Sequence, residues 1–360
     1  MARGIAVSDS KWVNSATDFQ EFVAFFSEFG GHRTARHIEW QYLEPPVDTQ
    51  AKVLLAIDSA LPARPIKAVY ASFSSRFMVN GKTTVAAQSL DTLTAPAYRG
   101  KGLFFELAKS VNAELERSGQ ALIYGFPNAQ SGPGFYSKLG WQQVGTVPFL
   151  WRPMNLGYLV RRVPKVGSLG KALNWLRAPL WRKRVQPGWT VNHDAPFDLR
   201  FDALWQSLRS SYATGLVRDR RYLQWRLADK PGFEYRNVTL SNASGEIVAC
   251  CIYSIQAKHE GRVGYVMDVL IRRNETEAGT VALNAALAAM NAAAVDLVLA
   301  WNLPDSFNTA CYQANGFWKL PDAMRPIHLS FGFRPFAEPG PSSSSGADGW
   351  YISYFDSDTV

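Results

Sequence analysis

Leu103, Leu107, Val111 and Leu115 stand four residues apart, and Gly119 follows them. That spacing predicts an amphipathic helix over residues 102–117, ended by the glycine. Helices are also expected over 17–29 and 35–43. Shorter apolar runs predict strands at 52–57, 66–79, 83–94 and 121–126, and Asn80-Gly81 between two of them predicts a tight hairpin. A short helix at 134–139 and a hairpin running to about residue 153 complete this half. The same succession then returns. Helices fall near 199–210 and 220–228, strands near 235–240, 247–255 and 263–271, an alanine-rich helix at 276–293 and a strand at 296–301. The alternation over 350–355 predicts a terminal strand, and 338–349, with serines at 342–345, predicts a mobile loop.

The two halves also share landmarks. R-x-x-R-x-(I/L)-x-W occurs at 33–40 and 218–225, with Pro46 and Pro231 after each copy. Asp91 within Leu-Asp-Thr-Leu answers Asp268 within Met-Asp-Val-Leu. Tyr136, Gly140 and Trp141 answer Tyr312, Gly316 and Phe317. The separations of these three landmarks are 185, 177 and 176 residues. Three matches in order argue for a duplicated domain. We expect domains at 1–155 and 191–360, joined by a linker at 156–190.

The linker changes the charge picture. The chain has 360 residues and a formal net charge of +8. Residues 155–190 hold Arg161, Arg162, Lys165, Lys171, Arg177, Arg182, Lys183 and Arg184 and no acid, so this segment supplies the whole excess. Leu169, Leu173, Trp175, Leu176, Leu180 and Trp181 interleave with them, which suits one amphipathic helix or two. Three readings stay open: a solvated bridge, a phosphate-binding wall, or peripheral contact with an acidic membrane surface. Apolar residues at 47% and charged residues at 19% describe a globular chain. No apolar run reaches the ~18 residues of a spanning helix, and no signal peptide is apparent. Cys250, Cys251 and Cys311 lack metal or redox spacing and read as small buried hydrophobes. The expected location is cytoplasmic.

The chemistry concentrates where a strand meets a helix. The stretch 90–105 contains Arg99, Gly100, Lys101 and Gly102 directly before the 102–117 helix. A helix start presents unpaired N–H groups and about half a positive charge, and glycines let an anion approach the backbone. The segment therefore predicts a diphosphate cradle. Neither G-x-x-x-x-G-K-(S/T) nor G-x-G-x-x-G is present.

Residues 90–141 resemble the core of the GNAT superfamily of acyl-CoA N-acyltransferases. That family has an x-x-P-x-(Y/F)-R-G-x-G segment and a pyrophosphate loop of the form (Q/R)-x-x-G-x-(G/A). This chain has Pro96, Tyr98, Arg99, Gly100, Lys101, Gly102, Leu103 and Phe104, and Phe104 stands where a small residue is usual. Its ring must then point away from the cofactor. Asn128 and the later Tyr136 to Trp141 resemble the family's second signature, at a spacing one residue longer than common.

The resemblance implies a fold and a reaction. The fold is α/β (α+β): two tandem GNAT-like domains, each a mixed, mostly antiparallel twisted sheet flanked by helices. The cosubstrate is acetyl-CoA or another acyl-CoA, touched by Leu93, Thr94, Arg99, Gly100, Lys101, Gly102, Leu103, Phe104 and Asn128. A primary amine attacks the thioester directly, with no metal and no enzyme nucleophile. Asp91 is the candidate carboxylate for the amine's proton, and it fits a structural role equally well. A backbone N–H near Thr94 faces the developing oxyanion. Tyr136 donates to the departing thiolate.

Aligned on the two aspartates, residues 99–102 fall on Thr276, Glu277, Ala278 and Gly279. The basic residues are lost and an acid appears, so the second domain reads as degenerate. The expected acceptor is a small-molecule amine, for instance a nucleotide-linked amino sugar, with no nucleic acid. Two other classes stay open: a Fem-type aminoacyl-tRNA-dependent transferase and a non-catalytic acyl-CoA sensor. The five histidines, at 32, 37, 193, 259 and 328, form no cluster. The sequence does not specify an oligomeric state.

Overall fold

The computed structural model of the protein describes residues 9–31, 33–61, 63, 65–161, 173, 176–325, 327–338, 340–341 and 349–358. Two compact units emerge. The first comprises residues 1–146, 229–232 and 329–346, and the second 147–228, 233–328 and 347–360.

In the first unit the chain forms β1 (Ser10–Trp12), α1 (Ala16–Phe29), α2 (Ala35–Leu43), β2 (Lys52–Ile57), β3 (Ile66–Val79), β4 (Lys82–Thr94), α3 (Leu103–Arg117), β5 (Leu122–Gly125), α4 (Gly132–Lys138) and β6 (Gln142–Thr146). Ser15 and Asp18 make a reciprocal capping box that starts α1, which buries Phe19, Phe22, Phe25 and Phe26. Asn80 and Gly81 both take positive φ, 49° and 77°, as the two-residue turn between β3 and β4 requires. The apolar face of α3 is the one the spacing predicts. Leu103, Leu107, Val111 and Leu115 are buried against Leu54, Tyr70, Ala87 and Ile123 of the sheet.

The second unit contains β7 (Phe149–Pro153), α5 (Leu156–Val160), β8 (Thr190–His193), α6 (Leu199–Leu208), β9 (Gly215–Leu216), α7 (Arg220–Leu223), β10 (Arg236–Ser241), β11 (Ile247–Lys258), β12 (Gly261–Ile271), α8 (Thr276–Ala292), β13 (Leu297–Trp301), α9 (Thr309–Ala314) and β14 (Trp318–Lys319). Its sheet runs β14-β7-β13-β12-β11-β10-β8, with only the β12–β13 pair parallel. A Cβ on Gly279 of α8 would lie 2.2 Å from Ile271 and 2.8 Å from the Cys311 sulfur, so this helix seats against the sheet only through a glycine. All three cysteines are free and buried.

The first sheet is completed from far along the chain. Its order is β1-β2-β3-β4-β5-β15-β6, where β15 (Ser330–Pro335) is antiparallel to both β5 and β6. Both sheets are mixed, mostly antiparallel and flanked by helices, the α+β arrangement expected of tandem GNAT-like domains.

Three expectations are corrected. Residues 142–153 are not a hairpin, because β6 pairs with β15 and β7 pairs with β13. Residues 350–355 are not a strand. Trp350 makes a single bridge to Thr214 and Tyr354–Asp356 is a 3-10 turn, because Ser353 caps that turn through a box with Asp356. The linker's described part holds only the five-residue α5, and residues 178–186 are irregular. Leu180 packs inward while its neighbour Trp181 is 80% exposed. This segment is tied along α8 instead. Arg177 donates to Asn291 (3.0 Å) and to the Val295 carbonyl (2.6 Å), and the Lys183 N–H donates to Asn284 (2.9 Å). Residues 162–172, 174 and 175 of the linker, and the loop serines 342–345, lie outside the described residues.

Candidate active site

β4 is paired with β3 down to Thr94, but its parallel pairing with β5 covers only Ala87↔Ile123 and Gln88↔Tyr124. The two strands therefore part after Gln88. Within the parting, β4 carries a bulge, where the register shifts between Val69 and Ala71 and Asp91 takes φ 48°. The Ala95 N–H donates to the Lys67 carbonyl on β3 at 2.9 Å. Backbone groups alternate along a strand, so the Thr94 N–H is turned to the opposite edge, into the parting. The Thr94 carbonyl accepts Arg99 Nε at 3.3 Å.

The loop from Thr94 to α3 is shaped for an anion. Pro96–Tyr98 makes one 3-10 turn, and the Tyr98 hydroxyl donates to Asp58 at 3.0 Å. Gly100 and Gly102 take φ 75° and 78°, and a Cβ built on either would meet no atom within 4 Å. Gly102 is the N-cap of α3 and supplies no capping side chain. A 15-residue helix thus starts with its first N–H groups uncapped. Arg99 and Lys101 are exposed beside it, with Lys101 Nζ 5.0 Å from the centre of the Tyr98 ring. The residues present fit a diphosphate: an open glycine backbone, a dipole end and two cations. Leu103 is buried in the core. The Phe104 ring packs among Phe105, Phe135 and Tyr70, at centroid distances of 4.9, 5.2 and 5.9 Å. Leu93, opposite Val69 on β3, is partly exposed.

Tyr136 is on α4, half-buried against the same core. Its hydroxyl donates to Ser330 Oγ at 2.7 Å, and Ser330 Oγ donates to the Pro127 carbonyl at 3.1 Å. Burial pushes the phenol's pKa up, and the Ser330 hydrogen bond partly offsets this, so Tyr136 holds its proton across the neutral range. A Cβ on Gly332 would lie 2.8 Å from the Tyr136 ring and 2.9 Å from its hydroxyl. Ser330 and Gly332 both come from β15. Sequence reasoning missed both, because the partner lies 194 residues from Tyr136 and no local pattern marks it. Asn128 is exposed. Its side-chain oxygen accepts the N–H of Gln130 and of Ser131, each at 3.0 Å, shaping the turn into α4.

Asp91 has both carboxylate oxygens engaged. Oδ1 pairs with Arg33 and Oδ2 accepts the Tyr42 hydroxyl. The second unit repeats the arrangement. Asp268 lies beside a register shift on β12, and Arg218 Nε donates to it at 2.7 Å. Arg33 with Asp91 and Arg218 with Asp268 are thus repeated ion pairs, one within each unit.

In the second unit β12 and β13 also part, after Val266↔Ala300. Here the chain's own C-terminal segment touches both strands. Asp268 accepts the Tyr351 hydroxyl and, at 3.1 Å, the Ser353 hydroxyl. The Tyr354 ring stacks on Trp301 of β13 at 4.4 Å and meets Tyr265 of β12 at 5.5 Å. Asn308 Nδ2 donates to the Val269 carbonyl at 3.0 Å. Glu277, at the start of α8, accepts from Gln186 at 2.6 Å.

Residues 14–144 match the acetyltransferase (GNAT) domain family, and this segment is a GNAT acetyltransferase domain. Two solved structures share the fold over 91% of this chain. One is a probable N-acyltransferase of unknown function from Enterococcus faecalis, with a TM-score of 0.61, 14% identity and 72% of its own chain covered. The other is a GCN5-related N-acetyltransferase from Anabaena variabilis, with a TM-score of 0.62, 12% identity and 73% of its chain covered. No curated protein matches the chain. Among the described residues no helix is long and apolar enough to cross a membrane.

Proposed function

We propose that the chain transfers an acyl group from acyl-CoA to a primary amine, with the chemistry in its first unit. The observation that carries this reading is the parting of β4 from β5 directly before the uncapped, glycine-bearing start of α3. The loop 99–102 binds the diphosphate of CoA, and the thioester reaches along β4 into the parting. The Thr94 N–H is the donor for the carbonyl oxygen as it gains charge. Tyr136, kept protonated by burial, protonates the leaving thiolate. The ion pair and hydrogen bond on Asp91 favour a bracing role at the bulge, which leaves the amine's proton to water. In the second unit, residues 351–354 lie against both parted strands, Ala278 aligns with Lys101 and Glu277 aligns with Gly100, so that unit is assigned no acyl-CoA.

A cleft of about 1030 Å³ adjoins the loop, lined by Phe25, Phe29, Pro96 and Tyr98, with Glu28 and the Lys11–Glu21 ion pair among its walls. Aromatic walls with carboxylates suit a small molecule bearing a cationic amine. The test is thiol release from acetyl-CoA with a panel of primary amines that includes nucleotide-linked amino sugars. Turnover with at least one amine supports the reading; tight CoA binding with no turnover on any of them overturns it.

A further inference from the structure

The Tyr136 hydroxyl finds its partner far from its own stretch of sequence. That partner is Ser330, on a strand that joins the first sheet from the far end of the chain. Ser330 is itself fixed. Its backbone N–H and its Oγ both donate to the Pro127 carbonyl, at 3.0 and 3.1 Å, just past the end of β5. Gly332 leaves the room that the Tyr136 ring occupies.

The direction of the bonds matters. At rest the phenol donates to Ser330 and Ser330 donates to a carbonyl. A phenol that gives its proton elsewhere becomes a phenolate, which can only accept. Ser330 is within 2.7 Å and its hydroxyl rotates freely about Cβ–Oγ. Turning its proton from the Pro127 carbonyl to the phenolate replaces a neutral hydrogen bond by a charge-assisted one. The carbonyl keeps the Ser330 N–H meanwhile.

We infer that Ser330 is a positioning residue for the acyl transfer, holding the Tyr136 hydroxyl at rest and turning to donate to its phenolate once the proton has gone to the thiolate. This rests on the reading of Tyr136 as the acid. The balance closes. The amine nitrogen bonds to the acyl carbon as the carbon–sulfur bond breaks, the sulfur takes the Tyr136 proton, the amine's surplus proton goes to water, and water returns one to Tyr136.

Two measurements test it on the full chain. The first follows the Tyr136 Cζ signal in protein labelled with 13C at tyrosine Cζ, assigned by its loss in Tyr136→Phe. Ser330→Ala should move its titration midpoint up, and Ser330→Thr, which keeps the hydroxyl, should restore it. An unmoved midpoint overturns the inference. The second is a double-mutant cycle on thiol release from acetyl-CoA with the best amine of the panel. Ser330→Ala should lower kcat about 10- to 100-fold with KM for acetyl-CoA unchanged, the scale of a lost hydrogen bond to a charged group. In a Tyr136→Phe background it should change nothing further. The same fold-loss in both backgrounds overturns the inference and leaves Tyr136 as the acid. Wild-type turnover by Tyr136→Phe instead removes the reading on which it rests.

Discussion

Gly102 and Gly119 stand just outside opposite ends of α3 with nearly the same backbone, φ 78° and 77°, and a Cβ at either meets nothing within 4 Å. Replacing either by alanine therefore has the same direct cost, that of a Cβ in the left-handed region. That is roughly 1–2 kcal/mol. The fold should feel the two changes alike. The cofactor should not. At Gly102 the new methyl group stands at the uncapped helix start, where the diphosphate must touch backbone N–H groups. Holding the phosphates off one such bond loses about 1.5–3 kcal/mol, because the acceptor is charged. That corresponds to roughly a 10- to 150-fold rise in Kd. Urea unfolding would measure the first quantity and calorimetric titration with CoA the second. Equal stability losses with weakened binding only in Gly102→Ala fit the account. Unchanged CoA binding by Gly102→Ala, or an equal loss in Gly119→Ala, would refute the cradle.

Other consequences can be measured separately. Asp91→Asn should lose about 1–2 kcal/mol of stability, since it removes the negative charge paired with the partly buried Arg33; if it also flattens the acidic limb of the pH–rate profile, Asp91 is a base rather than a brace. Gly332→Ala should push Tyr136 aside and lower kcat while leaving CoA affinity within about twofold, because its Cβ would lie 2.8 Å from the Tyr136 ring and 2.9 Å from both the Tyr136 hydroxyl and the Gln142 carbonyl, none of them in the loop 99–102; an unchanged kcat would count against Tyr136. Burial holds the Asp356 carboxyl at a pKa of about 6 instead of 3.8, against the pull of Arg218 and with Asp268 adding to the rise. The folded state therefore binds this proton more tightly than the unfolded chain, and the group's contribution falls as pH rises from about 4 to 6. The fall is about 3 kcal/mol in scale. Asp356→Asn should gain on the wild type by that order between pH 4 and 7 in urea titrations, whereas a pH-independent difference would contradict the assignment.

What could be read from sequence was local. The α3 stripe, the Asn80-Gly81 turn and the glycine loop each depend on residues within one or two turns of chain, and each is found where its pattern placed it. The repeat carried further, because Arg33 with Asp91 and Arg218 with Asp268 are the ion pairs that hold the two bulges. Long-range pairing was not legible. Phe149–Pro153 reads as half of a hairpin because its alternation specifies a strand, not a partner. Ser330 lies in a strand whose neighbours in the sheet are fixed only by the fold. Residues 350–355 alternate like a strand, yet capping by Ser353 and ring stacking by Tyr354 turn them into a clasp on Asp268.

The central claim is that one chain holds one acyl-CoA, on Arg99, Gly100, Lys101 and Gly102. Calorimetric titration of acetyl-CoA into the wild-type chain, Lys101→Glu and Glu277→Lys tests it most directly. The account predicts one site per chain, lost in Lys101→Glu and unaltered in Glu277→Lys. Two sites, or binding that survives Lys101→Glu, would contradict it.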